Sequence, residues 1–453
     1  MPFMHGVTSK QENAGTPPIQ GISTSVIGTI ITAPMGRVNE NVLINSKADG
    51  VKEFGSGVGS VDDTLNGIFD QGSATCVFIN VLDPAVHFAP IAATEYTFDA
   101  VTDEFTPANE YNYASDLKSQ DTLTDYTEGV DYTYDIVTNK YKRIDGGGIA
   151  AGGTTISLSY NIPDASLVDD AAVIGGIDAQ GKRSGLELFR VAKTKVGAKP
   201  RIIGTPQLDT EAVKTALPPI LDALKAFGYA STNSATKELA VANRALFGSK
   251  RLMLIHGDFL DADGNTLYAI ARVLGMRAKI DNLLSWSKTI SNVVINGVSG
   301  IDRDISWDLQ DPNTDANFLN ENHITTLINE KGFRFWGDRT TSAEPDWVYE
   351  SATRSSDVIS DTIAEAQMPY VSAKMTKVTL GVMVDRVNAK IRQWKANGDL
   401  VDGKCWMDPA KNTESILAAG NPHFTYNFSP IPPIENPTFI QQITTEYYDQ
   451  LLP

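Results

Sequence analysis

Cysteine is scarce in this 453-residue chain: Cys76 and Cys405 are the only two, and they stand far apart. That spacing builds no paired zinc or redox motif, so a reduced, cytosolic origin is expected. No apolar run approaches the roughly 18 residues needed to span a bilayer. The opening MPFMHGVTSKQENAG has neither the apolar core nor the positive flank of a signal peptide. Membrane insertion and secretion are therefore not expected. An excess of positive charge is also missing. The formal net charge of -17 would repel a phosphate backbone, and no basic stripe interleaved with aromatics overrides it locally. Direct binding to nucleic acid is not expected.

Catalytic signatures are equally sparse. The five histidines, His5, His87, His256, His323 and His423, are scattered, and none forms the HExxH pattern that puts two metal ligands on one helix face. There is no GxSxG elbow to raise a serine above a strand-to-helix turn. FGSGVGS places Gly55, Gly57 and Gly59 before a short helix but lacks the Lys-Ser/Thr ending of a phosphate loop, so it reads as a tight turn. Asp258, Asp261, Asp263 and Asn265 resemble a calcium loop, yet Gly264 is misplaced and no glutamate closes the set. They read as a solvated loop with helix-capping carboxylates. The best enzymatic hint is His256 with Asp258, because RLMLIH would end at the carboxyl edge of a parallel sheet, where α/β enzymes place ligands. Fold position alone does not establish function. No catalytic residue, cofactor or metal site is assigned, and the chain is expected not to be an enzyme.

What is present is ordinary globular composition, 42% hydrophobic and 21% charged, over a length that allows two to four domains. GISTSVIGTIITAP is rich in β-branched residues and closed by Pro34, which suits a strand whose first half could pair outside its own domain. A helix over about 61–70 and the buried-strand run TCVFINVL follow. The pattern resumes with a helix near Ser184 to Lys195, strand PRIIGT, helices near Thr210 to Phe227 and Thr236 to Phe247, and strand RLMLIH. Strands alternating with helices imply a mainly parallel sheet. Pro218 and Pro219 predict a kink or restart in the second of these helices.

Residues 91–165 differ in kind. They hold 13 Asp and Glu against 4 Lys and Arg, and eight of the fifteen tyrosines. EGVDYTYDIVTNKYKRI and TTISLSYNI alternate as β-formers, so the segment reads as a small β-rich insertion, solvated and separate. Its tyrosines either cover a small sheet or form a binding face. Farther on, a helix over about 379–397 carries Leu380, Val384, Val387, Ile391 and Trp394 as one apolar stripe. Its other faces carry Arg386, Lys390, Arg392 and Lys395, a solvated face or a docking surface for an acidic partner.

The chain ends are the remaining feature. The first twenty residues are too polar to fold alone and read as an arm. FSPIPPIENP is a proline-stiffened lead to TFIQQITTEYYDQ, which has strand composition. Such a terminal strand folds back on its own domain or extends a neighbour's sheet, and these residues alone leave both open.

Several ordered fragments resemble the tail sheath proteins of contractile-tailed bacteriophages and R-type bacteriocins. They are MPFMHGVT, SVIGTIITAP, VIGGIDAQGKRSGLELF, FGSKRLMLI, NENHITTLINEKGFRFWGDRT and IPPIENPTFIQQITTEYY, with His323 through Gly337, Asp338, Arg339 and Thr340 the most specific. The acidic insertion is the main departure from compact members. The resemblance implies a structural subunit that polymerises helically around an inner tube and contracts to drive that tube through a target cell envelope. It implies as partners further copies of itself, the inner tail tube protein, and baseplate and tail terminator proteins. The location implied is a virion tail or bacteriocin particle assembled in the host bacterial cytoplasm.

It also implies strand exchange between neighbours. The N-terminal strand would be Ile19, Gln20, Gly21, Ile22, Ser23, Thr24 and Ser25. The C-terminal strand would be Thr438, Phe439, Ile440, Gln441, Gln442, Ile443, Thr444, Thr445, Glu446 and Tyr447. Arg386, Lys390, Arg392 and Lys395 are the candidate tube-facing residues. The expected layout is an α/β multidomain chain: an arm over 1–21, a mainly parallel α/β domain over 22–90 and 166–290, and an outward β insertion over 91–165. An α+β C-terminal sheath domain over 291–436, packed near the inner tube, and an arm strand over 437–453 complete it. Two readings from other classes stand beside it: an α/β enzyme with a site near His256, and a surface adhesin using the insertion.

Overall fold

The computed structural model describes residues 19, 21–121 and 124–451. Of the expected N-terminal arm, residues 1–18 and Gln20 lie outside the described residues.

The β-branched and apolar runs assemble one eight-stranded sheet. In chain order its strands are β1 (Ile27–Ile31), β2 (Val42–Ile44), β3 (Cys76–Asn80), β4 (Ile202–Gly204), β5 (Phe227–Ser231), β6 (Leu252–Ile255), β7 (Ile324–Asn329) and β8 (Phe333–Trp336). Their spatial order is β8-β7-β6-β5-β4-β1-β3-β2. The six inner strands are parallel and the two edge strands antiparallel. Because side chains alternate across a strand, each apolar run feeds two cores. Ile27, Phe78, Ile202, Tyr229 and Met253 face one side. Ile30, Val77, Ile203, Ala230 and Leu254 face the other.

Helices α1 (Val61–Phe69) and α3 (Ala269–Leu283) cover the first face, and α2 (Glu211–Leu224) covers the second. Asp258 accepts a hydrogen bond from the Ala269 N–H at 2.7 Å, so the expected capping carboxylate sits at the start of α3. The FGSGVGS turn runs through positive φ at Gly55, Gly57 and Gly59. At Gly59 a Cβ would lie 2.4 Å from the Thr32 carbonyl oxygen, so only glycine fits.

Three expectations need correction. Of the kink or restart expected at Pro218 and Pro219, the restart is the part corrected: helix α2 passes through both prolines as one element, and Leu217, Ile220 and Leu221 on either side are buried in the same core. Burial of these apolar residues offsets the missing N–H groups. The helix expected near Ser184 to Lys195 begins as a 3-10 helix, Gly185–Val191, and turns α only over Ala192–Val196. Leu186 and Phe189, three residues apart, are both fully buried, which matches the three-residue period of the tighter helix. The sheet also continues past residue 290: β7 and β8, read from sequence as part of the C-terminal domain, are hydrogen-bonded into it.

The acidic segment forms two small antiparallel sheets. One is ordered Phe88–Thr97, Thr155–Pro163, Tyr113–Ser119, Asp125–Tyr126, and the other Glu104–Phe105, Lys140–Arg143, Tyr132–Asp135. Phe98, Phe105, Tyr132, Tyr141 and Tyr160 fill the core between them, with Phe105 stacked on Tyr141 at 4.9 Å between ring centres. Much of the tyrosine excess is therefore core. The segment also grips the main body: the Tyr113 hydroxyl donates to the Pro34 carbonyl at 2.8 Å, and the Ser56 N–H donates to the Tyr111 hydroxyl at 2.9 Å.

The last part of the chain builds a unit from α4 (Glu350–Gln367), α5 (Lys377–Asn397) and an antiparallel hairpin of β9 (Leu400–Trp406) with β10 (Thr425–Pro430). Ile359, Val387, Ile391, Trp394, Leu400 and Cys405 form its core. The expected stripe on α5 is thus covered in its second half. Leu380 and Val384 instead line an open groove with Met375, Met407 and Leu417.

Candidate assembly interface

Helix α4 joins the C-terminal unit to the sheet body through charge. Glu350, Arg354, Asp357, Asp361 and Glu365 recur at spacings of four and three, one face of an α-helix. Glu350 accepts from the Tyr229 hydroxyl at 2.5 Å and from Arg277 at 3.1 Å, and Arg277 also pairs with Asp281 at 2.6 Å. Arg354 closes this set on Asp281, and all four charged groups are buried. One helical turn on, Asp357 pairs with Arg251. Asp361 then holds Lys199 at 2.9 Å, Arg201 at 2.5 Å and Lys225 at 2.9 Å. Burial pulls the Asp361 carboxyl upward, but the three cations override it and hold it well below the usual carboxylate range. Glu365 pairs with Lys193 at 2.9 Å near the surface. Sequence reading missed this ladder because it sought apolar residues at helical spacing. Charged residues at the same spacing carry the signal.

The C-terminal arm leaves the unit under a second constraint. Arg339 donates from Nε and Nη2 to the two Glu435 oxygens at 2.7 and 2.8 Å, and the Tyr349 hydroxyl donates to Glu435 at 2.9 Å. These bonds hold Glu435 below its ordinary pKa. Burial, together with the facing Glu435, pushes Asp338 up to about 7. From Thr438 to Tyr447 the chain runs as irregular, exposed backbone, and a short 3-10 helix follows over Tyr448–Leu451. Phe439, Ile440 and Ile443 are 91%, 84% and 92% exposed, and Tyr447 is 64% exposed. Thr438 to Tyr447 forms no strand within this single chain. On the N-terminal side, Ile19 is buried and Gly21 to Ser25 are likewise not a strand. Ile22 and Thr24 lie in a cleft with Arg201, Lys225, Arg354 and Val358, against α4.

The four candidate cations all sit on α5 but differ in circumstance. Arg386 donates to the Tyr370 hydroxyl at 3.0 Å, and Lys395 pairs with Asp402 at 2.5 Å. Lys390 lies over the Trp394 ring and bonds Gln393, while Arg392 is exposed.

His256 is buried, with Nδ1 3.0 Å from the Thr232 hydroxyl, and its burial and nearby Arg303 lower its pKa. Burial raises Asp258 to about 6. Both groups are engaged in local hydrogen bonds, with Asp258 spent on the α3 cap. Among the described residues no group of His, Cys, Asp and Glu is arranged to hold a metal ion. No helix there is long and apolar enough to cross a membrane.

Comparison with known proteins bears on this architecture directly. Residues 181–341 match the phage tail sheath protein central domain, and residues 342–444 match the phage tail sheath C-terminal domain. The boundary between them falls just after the sheet's last strand. The tail sheath protein of Burkholderia phage BcepMu is 32% identical over 98% of this chain and 98% of its own. The tail sheath protein of Escherichia phage P2 is 44% identical over 62% of this chain and 72% of its own. In fold, the chain is similar to the anti-feeding prophage helical sheath in its contracted state, with a TM-score of 0.60 at 15% identity, covering 98% of this chain and 100% of that one. The chain belongs to the phage tail sheath protein family and is a structural subunit of a contractile tail sheath.

Proposed function

We propose that this subunit polymerises by exchanging terminal strands with its neighbours while the sheet body and the C-terminal unit move as one piece. The observation that carries this reading is the C-terminal arm: a segment of strand composition, held at its root by Arg339 and Tyr349, that presents Phe439, Ile440 and Ile443 to solvent. Large apolar side chains left this exposed on a strand-forming segment call for a covering surface. A two-stranded hairpin, β9–β10, stands in the same unit as an acceptor. Backbone pairing through a tethered arm persists while bodies rotate and exchange side-chain contacts, which is what contraction demands. A heterologous interface of this kind propagates a helix rather than closing a ring of two.

On this reading Ile19 to Ser25 and Thr438 to Tyr447 are the exchanged segments, and the insertion projects outward from the tube. The exposed cationic side of α5, Arg392 with Lys390, faces the inner tube protein before contraction, with baseplate and terminator proteins at the ends. The particle is a virion tail or bacteriocin assembled in the host cytoplasm. The ion-pair ladder along α4 supports a rigid connection between body and C-terminal unit. Truncation before Pro437 tests the reading: negative-stain microscopy should show no tubes, while circular dichroism should show a folded subunit. Normal tubes from the truncated chain would overturn it.

A further inference from the structure

The sheet body and the insertion carry opposite surpluses of charge. Residues 182–201 hold seven Lys and Arg against Glu187 alone, in a chain of net charge -17. Lys199 and Arg201 are spent on Asp361, and Lys193 on Glu365. Arg183 and Arg190 share the single carboxylate of Glu187, each at 2.9 Å. Lys182 is exposed and, among the described residues, in no ion pair. Arg183 and Arg190 also edge an open groove of about 630 Å³. Buried Leu186 and Ile220 form its floor, and Ile177 beside them is 55% exposed. The wall is already shaped: Ile177 bridges Arg183 across a turn in which Asp178 accepts the Gln180 and Lys182 N–H groups at 2.9 and 2.8 Å.

The insertion is the reverse case. All four of its cations are paired inside it: Lys118 with Asp116 and Asp125, Lys140 and Lys142 with Glu104, and Arg143 with Asp103 and Asp145. Asp121 and Glu128 stay exposed and, among the described residues, in no ion pair. The strand Phe88–Thr97 leaves the body where the Asp164 N–H meets the His87 carbonyl, and it runs beside Thr155–Pro163 for ten residues. That length carries its far end about 30 Å out. There the Asp99–Asp103 turn presents Val101, 90% exposed. The Arg143 N–H pairs with the Asp103 carbonyl, which brings Asp145 to the same end, and Ser119, opposite Ile156, brings Asp121.

We infer that the far end of one copy's insertion docks in the groove of a neighbouring copy, with Val101 over the apolar floor and Asp121 and Asp145 toward Lys182, Arg183 and Arg190. The two surfaces are opposite in charge, and each carries an uncovered apolar group. A chain cannot make this contact with itself. Its groove begins at Ile174, ten residues after the insertion re-enters the body at Asp164, whereas the acidic end stands at the other end of the long strands. In a helical assembly every copy offers both surfaces, so one heterologous contact repeats along the lattice. The contact is independent of strand exchange at the chain ends, and it gives the insertion a part in packing between copies.

Mixed assemblies of full-length protein test the contact. Copies carrying Val101→Cys are assembled together with copies carrying Ile177→Cys, treated with a short bis-maleimide and run on denaturing gels, in extended and in contracted particles. Native Cys76 and Cys405 are buried at 0% and 2% exposure and do not compete. Dimers should form in the mixture in at least one of the two states, and neither variant assembled alone should give them. Exposed Val137, in the turn between Asp135 and Lys140, serves as the control, and Val137→Cys should give no dimers with Ile177→Cys. Dimers through Val137→Cys in place of Val101→Cys, dimers from Val101→Cys alone, or no dimers in either state overturn the inference and leave strand exchange untouched. Charge gives a second readout. Lys182→Glu with Arg190→Glu should raise the critical concentration for tube formation about fivefold, with circular dichroism showing a folded subunit. Adding Asp121→Lys and Asp145→Lys to the same chain should restore it. A critical concentration that does not rise, or that the charge swap does not restore, overturns the inference as well.

Discussion

The Arg339 guanidinium holds both oxygens of the Glu435 carboxylate, at 2.7 and 2.8 Å, across 96 positions of sequence. One partner comes from the GFRFWGDRT stretch, which contains the sheet's last strand, and the other from the IPPIENP lead of the C-terminal arm. Two of the most characteristic fragments of the sequence are thus halves of a single clamp. The clamp stands where a stable body ends and an exposed segment of strand composition begins, so it fixes the direction in which that segment leaves.

Replacing Glu435 with Gln should therefore weaken assembly without unfolding the subunit. Charge-assisted hydrogen bonds contribute about 1.5–3 kcal/mol each, and solvent access to this pair discounts that figure. A net loss of about 1.4 kcal/mol per contact corresponds to a tenfold change in an equilibrium. The critical concentration for tube formation, measured by sedimentation, should rise roughly tenfold on that basis, with the thermal midpoint little changed.

Asp338 makes the same place sensitive to pH. Its carboxyl is raised to about 7 by burial and by Glu435, with Glu350 adding repulsion and Arg339 opposing it. A folded pKa above the unfolded value means that the stabilising form is the protonated one. Its contribution is complete at low pH and is lost as pH rises through about 7. Glu435 has the opposite sign: held low by Arg339, it contributes above the ordinary carboxylate range and is lost on strong acidification. The arm root is thus tightest in mildly acidic solution. Thermal midpoints should fall from about pH 4 to about pH 7 and level off above it, and Asp338→Asn should flatten that slope. An unchanged slope in the variant would assign the effect elsewhere.

The buried set Arg277, Asp281, Glu350 and Arg354 gives the largest expected stability effect. Glu350→Ala leaves Arg277 inside the protein with one fewer counter-charge and removes the acceptor of the Tyr229 hydroxyl. Breaking one side of a buried pair costs about 3–5 kcal/mol. Denaturant unfolding of Glu350→Ala should show a loss of that order. Glu365→Ala, at the exposed end of the ladder, should lie within about 1 kcal/mol of the parent.

Charge reversal on α5 separates two roles for its cations. Lys390→Glu with Arg392→Glu should loosen sheath from the inner tube in extended particles and leave contracted sheath intact, as seen by electron microscopy. Lys395→Glu should act instead on the hairpin, because Lys395 is paired with Asp402 beside β9. Unchanged extended particles in the double variant would remove the tube-facing assignment.

Much of the fold was legible in the sequence because burial leaves a local imprint. TCVFINVL and RLMLIH became inner strands, since a strand covered on both faces must be apolar throughout. The alternating Tyr-rich segment became antiparallel sheets, as period two requires. At the C-terminal end, the proline-rich lead marked the approach to an exposed segment that forms no strand in the single chain. The ordered fragments identified the family before any contact was known.

What the sequence left open was pairing between distant residues. Nothing local marks Arg339 as the partner of Glu435, Asn388 as the partner of the Cys405 backbone, or Glu350 as the counter-charge of Arg277. A polar residue on a helix looks the same whether it faces water or a buried cation. The sheet's extension to Trp336 was missed for the same reason, because strand order is set by which edges meet in space. The strand composition and proline-rich lead of the C-terminal end are properties of the sequence alone. Where the C-terminal end is tethered was decided only in three dimensions, because Arg339 and Tyr349, distant in sequence, converge on Glu435 and satisfy its carboxylate.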